Sequence, residues 1–144
     1  METAPDPGGN VEKSKPVVAV LGHLRVLLLD SITWIDADDA GQIVISGSHG
    51  GRSAAEYAIL LPLALCCIND AGVGKDRAGI VALDMLEARG TPGVAFSHDS
   101  ARIGEARDAW DHGVISHCNA RAITLGFNAG RNLRAEIERV FGLR

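Results

Sequence analysis

No stretch of this chain reaches the roughly 18 consecutive apolar residues that crossing a bilayer requires, and its N-terminus, METAPDPGGNVEKSKP, lacks the apolar core of a signal peptide. Both absences lead to the expectation of a cytoplasmic protein with no membrane partner. An excess of positive charge is missing as well. The formal net charge is −4, which argues against a nucleic-acid partner, since such a partner favours a basic face. Arg131, Arg134, Arg139 and Arg144 cluster near the C-terminus, but Glu136 and Glu138 interleave with them, and the segment reads as a solvated amphipathic helix. Cysteine is scarce: there are 3, an odd number, and no CxxC pair, so neither a disulfide framework nor a zinc site is indicated. The adjacent Cys66 and Cys67 sit in the apolar run ALCCI, where alternation sends them to opposite faces of a strand as small buried hydrophobes.

What the chain does contain is an ordinary globular composition, 47% hydrophobic and 22% charged over 144 residues, the size of one domain. Residues 1–16 are rich in Pro, Gly and charge and are expected to lack fixed structure; residues 17–144 are expected to form a single α/β domain. The run VVAVLGHLRVLLLDSITWI reads as one or two strands with a turn at Gly22-His23, and QIVISG, LALCCI and TPGVAFS as further short strands. Between them, residues 53–61 have a cap at Ser53, and 77–89 show helical spacing ending at Gly90. Asp99 or Ser100 caps a helix running to about Trp110, Ser116 opens another in HCNARAITLG, and residues 130–141 close the chain. Strands alternating with helices over short connections predict a three-layer α/β/α sandwich with a mostly parallel sheet of about four to six strands.

Three Ser-His dipeptides follow apolar runs: Ser48-His49, Ser97-His98 and Ser116-His117. The carboxyl ends of parallel strands are where ligands bind in such folds, and the first two dipeptides would meet there if their strands are neighbours. The third reads as a helix start. In Gly47-Ser-His-Gly-Gly51 the glycines allow close backbone approach and leave N–H groups for an oxyanion, with His49 as general acid or base. The loop Asn69-Asp-Ala-Gly-Val-Gly-Lys-Asp76 has a P-loop outline, but Asn69 stands at its first glycine position and Asp76 at its Ser/Thr position, so nucleotide hydrolysis is not expected. It supplies Asp70 as base, nucleophile or histidine-orienting group, with Lys75 able to balance the charge. Around Ser97, His98, Asp99, Ser100 and Arg102, either serine is a candidate nucleophile, and the Arg102 fork can hold a carboxylate or phosphate. Ser46, Ser48, Gly50, Gly51, Asn69 and Asn119 complete the predicted substrate-binding set. The bland alternatives are turn and cap roles for the same residues. His49, Asp70, Asp76, His98, Asp99 and His117 are metal-ligand types, but their spacing matches no compact signature, so no metal and no cofactor is expected.

The strings GSHGG, NDAGVGKD and SHDSARIG resemble those of a small bacterial α/β family, over roughly residues 25–126; the resemblance carries no activity with it. A fainter similarity is to caspase-like folds, where one strand ends in a histidine-glycine turn and the next in the nucleophile. His49-Gly50 fits the first element, but Asn69-Asp70-Ala71-Gly72 stands where a cysteine belongs, so peptidase activity is not implied. These residues together predict a small-molecule enzyme, a hydrolase or related acid/base catalyst acting on an amide, imide or other carbonyl. In it His49 is the base, Asp70 its partner or the attacking group, and Ser46, Ser97 or Ser100 the hydroxyl, with His98 in the same site. The rival is a non-catalytic binding or regulatory subunit holding an anionic metabolite. A homo-oligomer is the default expectation for the assembly.

Overall fold

The computed structural model of the chain describes residues 14–142. Strands β1 (Val17–Leu21) and β2 (Leu24–Leu29) form an antiparallel hairpin that turns at Gly22, whose φ of +66° suits a residue without a Cβ. Strands β2, β3 (Ile43–His49), β4 (Leu65–Asn69) and β5 (Gly93–Phe96) then run parallel as consecutive neighbours. Strand β6 (Ile115–Cys118) pairs antiparallel with β5 and completes a 6-stranded sheet.

Strand alternation divides the core in two. Val26, Leu28, Ile43, Ile45 and Cys67 face one side, and Leu27, Leu29, Val44 and Cys66 the other. The adjacent cysteines thus point oppositely, as their position in a strand requires. Helices α1 (Arg52–Ala58) and α2 (Val81–Ala88) bury Ala54, Ala55, Ala58, Leu83 and Leu86 on the Cys66 side. Leu83 and Leu86, one turn apart, each contribute roughly 1.5–3 kcal/mol of burial. Helices α3 (Ala106–His112), α4 (Ala120–Leu125) and α5 (Leu133–Ile137) cover the Cys67 side through Ala109, Trp110, Ala122, Leu133 and Ile137. The result is a three-layer α/β/α sandwich. No helix among the described residues is long and apolar enough to cross a membrane.

Several boundaries differ from the sequence expectation for identifiable reasons. Residues 1–13 of the expected unstructured segment lie outside the described residues, but its last part is held. The Lys15 ammonium bonds Asp39 at 2.7 Å and Asp36 at 3.1 Å, and the Pro16 carbonyl accepts the Leu28 N–H. Ser116-His117 belongs to β6 rather than opening a helix; the cap of α4 is Asn119, whose side chain accepts the Ala122 N–H. α1 begins after Gly51 with no side-chain cap, so Ser53 lies inside it. Neither Asp99 nor Ser100 starts α3, because residues 98–101 turn back on themselves, with the Ser100 and Ala101 N–H groups bonding the Ser97 carbonyl. Helix α2 begins only at Val81, since Asp76 and Arg77 take left-handed φ values of 56° and 60°.

The strand order sets which loops meet at the carboxyl ends of the parallel strands. β3 and β5 are not neighbours; β4 lies between them. The chain leaves β3 for α1 and β4 for α2, both on the Cys66 side, whereas it leaves β5 for α3 on the Cys67 side. Between β3 and β4 the outgoing connections run together and close over the strand ends. After β4 and β5 the chain leaves for opposite faces, and the loops that follow these two strands are bonded to each other through Asn69 and Asp70.

Candidate functional site

Asp70 and His98 follow the neighbouring parallel strands β4 and β5, and their side chains meet. The Asp70 carboxylate is buried and accepts the Gly72 N–H at 2.8 Å and the His98 N–H at 3.0 Å through Oδ1. The same oxygen lies 3.3 Å from His98 Nδ1. Burial opposes ionisation of Asp70. The Gly72 N–H, the Ser116 hydroxyl, and the His98 N–H and ring outweigh it and hold the carboxyl below its ordinary value. An ionised carboxylate at Nδ1 fixes the neutral imidazole with its proton there and its lone pair on Nε2. The His98 side chain is 47% exposed against 7% for that of Asp70, so the ring is anchored at Nδ1 by a buried group while its Nε2 edge faces the surface. Asp99 Oδ1 lies 3.3 Å from Nε2 on a side chain that is itself 85% exposed.

Both flanking loops are built to hold that pair. Asn69 is buried and ties them together: its amide nitrogen donates to the Ala101 carbonyl at 2.9 Å and its oxygen accepts the Ala71 N–H at 2.8 Å. The loop after Asp70 is strained. Ala71, Gly72, Val73, Gly74, Asp76 and Arg77 all have φ between 51° and 77°. For a β-branched residue such as Val73 this costs on the order of 1–3 kcal/mol. The strain is held by bonds from Val73 N–H to the Asp70 carbonyl and from Gly79 N–H to the Val73 carbonyl, both 2.7 Å. Gly72 packs against the imidazole; a Cβ there would sit 3.5 Å from His98 Cε1.

His98 lines a groove of about 390 Å³ together with Asp99, Ser100, Ala101, Arg102, Asp108 and His112. Ser100 Oγ donates to the Ser97 carbonyl at 2.8 Å and accepts the Val114 N–H at 3.0 Å, so it braces the turn. Ser97 Oγ accepts the Asp99 N–H. Arg102 presents its guanidinium at the rim, 3.9 Å from Glu105, while its N–H bonds Asp108 at 2.9 Å.

The remaining predicted residues lie elsewhere. His49 does not reach Asp70: its Nδ1 accepts the Gly51 N–H at 2.9 Å, and it lines a separate cavity of about 230 Å³ with Ser48, Ser53 and Tyr57. The oxyanion role of the glycine turn is corrected too. The Gly50 N–H is shared between the carbonyls of Asn69 and Gly79, and that of Gly51 is taken by His49. Gly50 is required by packing, since a Cβ would stand 2.0 Å from Ile68 Cδ1. Ser46 is buried and accepts the Ser48 N–H, and Ser48 Oγ accepts the Ile32 N–H. Lys75 is exposed and has no ion pair with Asp70 among the described residues. Asn119 caps α4 at the opposite edge of the sheet, bonding Gly93 N–H, Ala122 N–H and the carbonyls of Leu83 and Thr91.

Sequence reasoning missed Ser116 and His112. Ser116 reaches Asp70 because β6 runs antiparallel and brings its first residues to the carboxyl end of β5. His112 carried a signal, the i,i+4 spacing from Asp108, whose Oδ1 it meets at 3.0 Å through Nδ1. Among the described residues no group of three His, Cys, Asp or Glu side chains is arranged to hold a metal ion. Comparison of the chain with protein-family models, curated proteins and solved structures finds no match.

Proposed function

We propose that the chain is a small-molecule enzyme in which His98 is a general base acting on an amide, imide or other carbonyl compound. The observation that carries this reading is the Asp70–His98 pair, a buried carboxylate holding one nitrogen of a half-exposed imidazole where two connections part at the sheet edge. A base anchored at Nδ1 offers Nε2 to a reacting proton in a fixed direction once the exposed Asp99 side chain turns aside from it, which is what general-base catalysis needs. Ser100 is committed to its turn and Ser97 does not line the groove. Water activated by His98 is therefore the attacking group.

The test is hydrolysis of p-nitrophenyl acetate and of p-nitroanilides by the full chain. His98→Gln should lower turnover by about 10²–10⁴-fold with an unchanged circular dichroism spectrum, because the ring is half exposed. Equal rates for variant and wild type would remove His98 from the mechanism. Arg102, exposed on the groove wall, favours the second reading, a subunit that holds an anionic metabolite. In that case Arg102→Ala dominates the affinity for small carboxylates such as malonate, and His98→Gln has little effect on it.

A further inference from the structure

The groove that presents His98 contains a second imidazole with a carboxylate at its Nδ1, but a more exposed one. His112, the last residue of α3, meets Asp108 through Nδ1 at 3.0 Å, as His98 meets Asp70 at 3.3 Å. The Asp108 carboxyl is held below its ordinary value by the Arg102 N–H and by His112, so it stays ionised and keeps a proton on the ring nitrogen facing it. An i,i+4 pair on a surface helix would ordinarily be unremarkable. Here the other oxygen of Asp108 accepts the Arg102 backbone N–H at 2.9 Å, which ties α3 to the loop carrying His98, and both rings line one groove of about 390 Å³.

We propose that His112 is the general acid of this groove and that the substrate is a small amide or imide, whose nitrogen leaves only when protonated. The proposal rests on the reading of His98 as base. Water gives a proton to His98 Nε2 as its oxygen bonds to the carbonyl carbon. The C–N bond then breaks, its electron pair goes to nitrogen, and the nitrogen takes the Nε2 proton of His112, which enters this step as the imidazolium, protonated on both ring nitrogens, and leaves it neutral with its remaining proton on Nδ1 facing Asp108. The products are a carboxylic acid and an amine or amide. Proton exchange with solvent returns both rings to their starting states, so no co-reactant is needed. The charged groups facing the two rings are Asp70, Asp99, Arg102 and Asp108; Asp70 and Asp108 are held below the ordinary carboxyl value, Asp99 lies against His98, and the guanidinium does not release a proton.

Leaving-group dependence tests the assignment. A p-nitrophenyl ester departs as a stable phenolate without a proton, whereas a p-nitroanilide requires one. For His112→Gln the ratio of anilide to ester turnover should fall about 10²-fold; Asp108→Asn, which keeps the imidazole but loosens it, should lower the same ratio less. His98→Gln should reduce both substrates together. If His112→Gln lowers ester and anilide turnover equally, or changes neither, the acid role is overturned while His98 keeps its place. A wild-type chain that cleaves the ester and not the anilide overturns it as well. Ester turnover indifferent to His98→Gln removes the base reading instead.

Discussion

Replacing Asp70 by asparagine removes one charge from a buried position and leaves the shape nearly unchanged, so it isolates what the carboxylate contributes. In the native chain Oδ1 accepts two backbone N–H groups at 2.8 and 3.0 Å and faces His98 Nδ1 at 3.3 Å. Hydrogen bonds to a charged acceptor contribute about 1 kcal/mol more than neutral ones. Two of them becoming neutral costs about 2 kcal/mol, or about 4–8 °C in Tm for a chain of this size. The sign of the pH dependence follows from the depressed folded pKa. The contribution is fully present above the ordinary aspartate value of about 4 and is lost as pH falls through the lower folded value. Urea denaturation of both proteins, followed by circular dichroism, should show a gap of about 2 kcal/mol at neutral pH that closes in acid. Turnover should fall about 10²–10⁴-fold, because asparagine no longer selects the Nδ1-protonated ring. A stability gap of equal size at neutral and acid pH would refute the reasoning, since it would mean that Asp70 is not an ionised acceptor in the fold.

Gly50→Ala should destabilise the chain by about 1–3 kcal/mol through overpacking, as its Cβ would meet Ile68 Cδ1 and the Gly79 carbonyl; chemical denaturation measures this. Val73→Gly should raise stability by about 1 kcal/mol by relieving a left-handed β-branched residue. It should also speed amide exchange of residues 71–79 in hydrogen exchange, because the freed loop samples more conformations. Asn119→Ala should cost about 2 kcal/mol for its lost cap and buried bonds, while the rate on p-nitrophenyl acetate stays within about twofold of wild type once folded protein is normalised.

The layers of the fold are legible in the sequence because they depend on local pattern. Short β-branched runs separated by helical spacing leave few arrangements for a domain of this size, and the parallel sheet follows. The site is only half legible. Asp70, His98, Asp99 and Arg102 stand out as polar residues after strands, but so does His49. What separates them is which loops bond each other: the His98 loop meets Asp70, while the His49 ring turns back to its own Gly51 N–H, a long-range outcome that no residue near His49 encodes. Ser116-His117 shows the same limit at short range. Serine and asparagine both cap helices, and only the pairing of ISHC with β5 decides that Asn119 is the cap. The left-handed run 71–77 has no sequence signal at Ala71, Val73, Asp76 or Arg77, because surrounding bonds impose it against local preference.

The groove beside His98 is walled by the loop after β5 and by α3 rather than by the strands of the sheet. Its polar lining sits on residues 98–100, 102, 108 and 112, and of all the lining residues only Ala101 belongs to the core. For protein engineering this separates two tasks that usually conflict. The frame can be stabilised through the helices on either face, and the groove lining can be varied in a library of a few positions, with Asp70 and His98 kept as the fixed chemical pair.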